Sequence, residues 1–123
     1  MDGSEIQIFG NIGRDPEQKY TPQGKMVTEF SVGVSVGYGE HKRTDWFKAV
    51  AWEKQAELIG KMCQKGTTIW LRGTPKVAVW TSKEGEAKGQ IEISIRDWRI
   101  LKGGKPREEA EATPYDGDAE ADE

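Results

Sequence analysis

From Val27 to Val36 the chain alternates without a break, so that Phe30, Val32, Val34 and Val36 fall on one face of an extended strand and Glu29, Ser31, Gly33 and Ser35 on the other. A run of this kind buries one face against another β layer and commits the chain to an antiparallel sheet with a single buried side. Other stretches follow the same rule. Ser4 to Asn11 alternates around Ile6 and Ile8, Thr67 to Leu71 turns Ile69 and Leu71 inward, and Gln90 to Ile95 places three isoleucines on one face before continuing through Trp98 and Ile100. A short extended piece, Gln18 to Thr21, precedes Pro22-Gln23-Gly24, which has the chemistry of a type II turn. Gly73-Thr74-Pro75 is expected to bend or interrupt the strand that leads to Lys76 and Trp80, and Ser82 to Gly89 is expected to reverse the chain.

Only one segment changes period. From Glu53 to Gln64, Ala56, Ile59, Met62 and Cys63 recur at helical spacing with Leu58 beside them, and Lys65-Gly66 supplies a basic last turn and a glycine stop. A helix is therefore expected between the third and fourth long strands. The expected fold is all-β, a five-stranded Greek-key OB-fold barrel with one helix in that connection, because closure removes the edges that so many β-prone runs would leave bare. A small β-sandwich accommodates the helix less naturally.

The 123 residues suffice for one domain. Charge divides them unevenly: from Glu108 onward there are eight acidic residues and no Lys or Arg, so all 18 basic residues lie in 1–107 beside 13 acids. A formal charge of −3 thus joins a body of +5 to a tail of −8. The expected division is an OB-fold domain over 1–103 and a disordered acidic tail over 104–123, and the basic body admits a polyanionic partner. No apolar stretch approaches the length of a membrane span or signal core, and a single cysteine, Cys63, forms no internal disulfide, so a soluble cytoplasmic protein is expected. Lone Cys63 and lone His41 make no zinc-ligand cluster and no nucleophile–base pair, so neither metal nor cofactor is expected.

The stretch Thr44 to Trp52 carries the chemistry. As a strand it directs Trp46, Lys48 and Trp52 to one side and Phe47, Ala49 and Ala51 to the other. Two indoles and a cation on one face suit a surface on which unpaired bases stack while phosphates meet positive charge; taken alone, the same indoles also suit an ordinary sheet core. Lys76 and Trp80, four residues apart, repeat the pairing on a second strand, and Tyr38 stands in the charged, glycine-bearing loop Gly37 to Arg43 just before the stretch. The repetition favours the base-stacking reading. Trp70, between two inward residues, and Trp98, near the end of the last strand, read as structural or as subunit contacts.

Gly10-Asn11-Ile12-Gly13-Arg14-Asp15-Pro16-Glu17, followed by Lys19-Tyr20, Gly24, Thr44-Asp45-Trp46-Phe47, Lys65-Gly66, Gly73 and Trp80-Thr81, resembles the bacterial single-stranded DNA-binding protein family across residues 4 to 103. The resemblance implies sequence-tolerant binding of single-stranded DNA in replication, recombination and repair. It implies base stacking on Trp46, Trp52 and Trp80, Trp52 replacing a common Phe, with Tyr38 where a loop Trp often sits. It also implies phosphate contacts on or near Lys19, Lys48, Lys54, Lys65 and Lys76, and a homotetramer, or a dimer in a variant. The sequence departs from the family in two places. Pro75, Val77, Ala78 and Val79 dilute the basic residues usual before Trp80, and the chain ends in acidic residues without the family's long linker and Pro-Phe tip. Docking of replication and repair proteins through that tip is therefore not carried over, and the short tail resembles that of a phage or mobile-element form.

Two other classes compete. A protein-interaction OB module, such as a primosome accessory factor, would use the same aromatics as a protein interface. A nuclease on this fold needs a carboxylate cluster that holds a metal near an Arg, whereas the expected groove strands carry chiefly Lys and Trp. No enzymatic activity is expected.

Overall fold

The computed structural model describes residues 2–103. The expected tail, 104–123, lies outside the described residues. Six strands run in the order β1 (Ile6–Ile12), β2 (Glu17–Tyr20), β3 (Met26–Val36), β4 (Arg43–Trp52), β5 (Thr68–Thr81) and β6 (Ala87–Lys102), with one helix, α1 (Glu53–Met62), between β4 and β5 and a 3-10 turn at Gly39–His41. Five strands close on themselves. Each is paired to the next in the circuit β1-β5-β6-β4-β3, and β1 returns to β3 through Asn11↔Gly33 and Ile12↔Val32. Among the described residues the β4–β6 contact is the one parallel pairing, Phe47↔Ile91 through Val50↔Ser94. The short β2 adds to the outer edge of β3. This is the OB-fold expected, with its helix in the expected connection.

The interior is filled from the alternating positions. Ile8, Ile12, Phe30, Val32, Ala49, Ala51, Ile69, Leu71, Ile93 and Ile95 form one core cluster, and Ala56, Ile59 and Cys63 bring α1 onto it. Thr28, fully buried, donates its hydroxyl to the carbonyl of Ala56 at 2.7 Å and so fixes the helix to β3. Met62, expected beside these residues, is exposed. At 100° per residue Ala56, Ile59 and Cys63 span about 60°, whereas Met62 falls about 120° from Ala56, outside the buried stripe.

Gly73 to Pro75 takes the first of the two forms expected there, a local irregularity in place of a break. β5 is not interrupted there: its pairing with β6 slips by one residue between Arg72 and Gly73 and continues to Thr81↔Ala87. Gly73 permits this, since a Cβ there would lie 2.1 Å from the carbonyl oxygen of Ser94. The turn is correspondingly shorter than expected and is closed by hydrogen bonds from the Ser82 amide to the Glu86 carbonyl and from the Gly85 amide to the Ser82 carbonyl. Among the described residues no helix is long and apolar enough to cross a membrane.

Candidate nucleic-acid interface

Trp46, Lys48, Val50 and Trp52 share the outward face of β4, and pairing places Gly33, Ser31, Glu29 and Val27 of β3 directly beside them on the same face. Across the parallel pairing, Glu92 of β6 lies opposite Lys48, and beyond it Lys76 of β5 lies opposite Glu92. Trp80 is two pairs further along that face, opposite Lys88. β2 extends the surface on the other side, with Glu17 opposite Glu29 and Lys19 opposite Val27. One outward face thus carries three indoles, several ammonium groups and several carboxylates.

None of the three indoles is core. Trp46 is 51% exposed, Trp52 44% and Trp80 46%, each with one part of the ring against protein and the rest open. The seat of Trp46 is made of glycine. A Cβ on Gly13 would lie 2.7 Å from the indole, and one on Gly33 3.0 Å, so both backbones pass directly beneath the ring. Trp52 ends β4 and is the residue before α1, whose first residue, Glu53, has a left-handed φ of 57°. That conformation, uncommon for a side chain other than Gly, turns strand into helix with no linker and leaves Trp52 at the edge of the face.

The surface is concave in three places. One cleft is lined by Trp46, Trp80, Phe47, Val77, Gln90 and Ile91, with Thr44, Asp45 and Gly89. A second is lined by Arg14, Asp15, Glu17, Glu29, Ser31 and Lys48, with Phe30 and Gln90. The third contains Lys19, Tyr20, Trp52, Val50, Glu29 and Glu92, with Thr21 and Val27. Gln90 is common to the first two and Glu29 to the last two, so the clefts follow one another along the face from Trp80 to Trp52.

Lys19 and Lys48 converge on a single carboxylate oxygen, Glu29 Oε1, at 3.3 and 3.5 Å, and Glu17 lies 3.9 Å from Lys19. At the other end of β4, Arg43 Nε donates to Asp45 Oδ1 at 3.0 Å, and this hydrogen bond, with the aspartate charge, raises the guanidinium pKa further above its ordinary value. Lys76 shares the outward face but lines none of the three clefts, and the remaining candidates sit apart. Tyr38 is 87% exposed beside the Gly39–His41 turn, Lys54 is on the first turn of α1, and Lys65 follows the helix, where its backbone amide donates to Asp15 Oδ1; none lines these clefts.

Some residues of the site escaped the sequence reading. Tyr20, exposed at the end of β2, lines the Trp52 cleft; its place next to Lys19 and just before a turn was the available signal. Arg14 and Gln90 enter only through cross-strand packing, and Glu29 looked like the polar side of an alternating strand.

The model of the single-strand binding protein family matches residues 4–101. The chain belongs to that family. It is 29% identical over 104 residues to single-stranded DNA-binding protein 1 of Chlorobaculum tepidum, covering 80% of this chain and 64% of that protein. It is likewise 29% identical over 121 residues to the single-stranded DNA-binding protein of Neisseria meningitidis serogroup A, covering 94% of this chain and 68% of that one. The chain therefore spans about two thirds of the length of these family members. Its backbone is similar to that of a Plasmodium falciparum SSB solved in complex with ssDNA, with a TM-score of 0.70 at 22% identity over 83% of this chain and 97% of that one. That likeness concerns the fold.

Proposed function

We propose that this chain binds single-stranded DNA without sequence preference, protecting it in replication, recombination and repair. The observation that carries the reading is the row of half-exposed indoles, Trp80, Trp46 and Trp52, on one outward face whose connected clefts also hold Lys19, Lys48 and Arg14. Every base has a π-face, so stacking on these rings tolerates any sequence, at roughly 1–3 kcal/mol per base. Lys19, Lys48 and Lys76 receive the phosphates between stacked bases and give the binding its salt dependence. Tyr38, Lys54 and Lys65 serve strand segments entering or leaving the clefts. The action is by binding energy alone, without bond making or breaking, in the cytoplasm.

The working form is a homo-oligomer, a tetramer or a dimer. Support comes from the opposite side of the ring, where Phe9, 66% exposed, lies opposite Trp70, whose indole N–H donates to Gln7 Oε1 at 2.6 Å. An aromatic patch of this kind on a β surface suits contact with a second copy. Titration of a labelled oligo-dT at several salt concentrations tests the reading: tight binding with log K falling linearly with log salt is expected, and equal affinity for duplex of the same length would contradict it.

A further inference from the structure

Glu29 lies where the strand's phosphates would have to sit. Its side chain is only 25% exposed, and its Oε1 is shared by the ammonium groups of Lys19 from β2 and Lys48 from β4. It stands at the junction of the clefts that hold Arg14 and Lys48 on one side and Lys19, Tyr20 and Trp52 on the other. Nothing in the fold requires a carboxylate there. The Glu29 carboxylate makes no hydrogen bond to backbone among those described, and the residue's cross-strand neighbours are Val50 and a second carboxylate, Glu17. Like charges directly opposite on a sheet face are unfavourable on their own, so the Glu17 and Glu29 pair is tolerated because Lys19 lies between them.

We propose that Glu29 is a built-in phosphate surrogate, which occupies Lys19 and Lys48 in the free protein and holds down the affinity for single-stranded DNA. The inference rests on the reading of this face as the DNA path. Phosphate binding draws its driving force from release of condensed counterions when a free cation neutralises the strand. A lysine already neutralised by a protein carboxylate contributes less, and the carboxylate left behind repels the incoming phosphate. Glu29 therefore favours exchange along the strand over tight retention.

The test compares wild type, Glu29→Gln and Glu57→Gln on oligo-dT, using the full chain. Glu57 is the outward partner of Lys61 on α1 and lines none of the clefts, so its substitution removes the same formal charge elsewhere. Glu29→Gln is expected to tighten binding about 3- to 10-fold near 0.1 M salt and to steepen the log K against log salt slope by about 0.7–1.4, one to two further phosphates neutralised, while Glu57→Gln changes neither appreciably. Adding Glu29→Gln to a Lys19→Gln, Lys48→Gln background is expected to leave the slope unchanged, with only the smaller gain in affinity that comes from lost repulsion. Unchanged or weaker binding by Glu29→Gln, an equal gain from Glu57→Gln, or a slope that still steepens without the two lysines would each overturn the inference while leaving DNA binding in place. A wild-type protein that does not bind oligo-dT would overturn the reading beneath it.

Discussion

At the scale of single residues, base stacking depends on how Trp46 is held. Its ring rests on Gly13 and Gly33, and no larger residue fits beneath it. Gly13→Ala is accordingly expected to tilt or displace the indole and to weaken oligo-dT binding by up to about 1–3 kcal/mol, the worth of one stacked base; affinity measured beside a urea melt separates lost stacking from lost fold. Trp46→Ala should cost a similar amount with the salt slope intact, whereas Lys48→Ala placed in the Glu29→Gln background should lower that slope by about 0.7. Salt titration of both variants distinguishes ring from charge. Cys63, the buried thiol at the end of α1, is pushed up to about 11 by desolvation. Raised above its unfolded value, it contributes stability that is complete below about pH 8.5 and lost as pH rises toward 11. Chemical denaturation at pH 8 and pH 10.5 is expected to show a larger fall in stability for wild type than for Cys63→Ala.

At the scale of elements, the alternation of Val27 to Val36 marked β3 to within a residue, and the three isoleucines of Gln90 to Ile95 marked the middle of β6. Both signals are local, produced by side chains that must alternate between core and water. Helix α1 was legible for the same reason at its own period. What stayed hidden depends on contacts between distant segments. The β5 slip arises from the approach of Gly73 to the Ser94 carbonyl, and the meeting of Lys19, Glu29 and Lys48 arises from three strands aligned by pairing. The outward direction of Trp46, Lys48 and Trp52 could be read from their spacing, but the glycine seat beneath one of them could not. Gly73→Ala follows from the same geometry. Its methyl has no room between the β5 and β6 backbones, and a loss of about 1–3 kcal/mol is expected in a urea melt.

At the scale of the whole molecule, two opposite surfaces of one closed sheet divide the work: an indole-and-lysine face proposed for DNA and a Phe9 and Trp70 face proposed for another subunit. Arg72, paired with both Glu5 and Asp97, borders the second face. Phe9→Glu is expected to lower the mass found by light scattering, with base stacking retained on each copy. The acidic run from Glu108 onward, with its charge of −8, lies outside the described residues. The central claim, that the exposed indoles hold bases by their faces, is tested most directly by intrinsic tryptophan fluorescence during titration with oligo-dT at low salt. Saturable quenching that is strongly reduced in Trp46→Ala is expected, and saturation of a labelled oligo-dT without any quenching would contradict the claim.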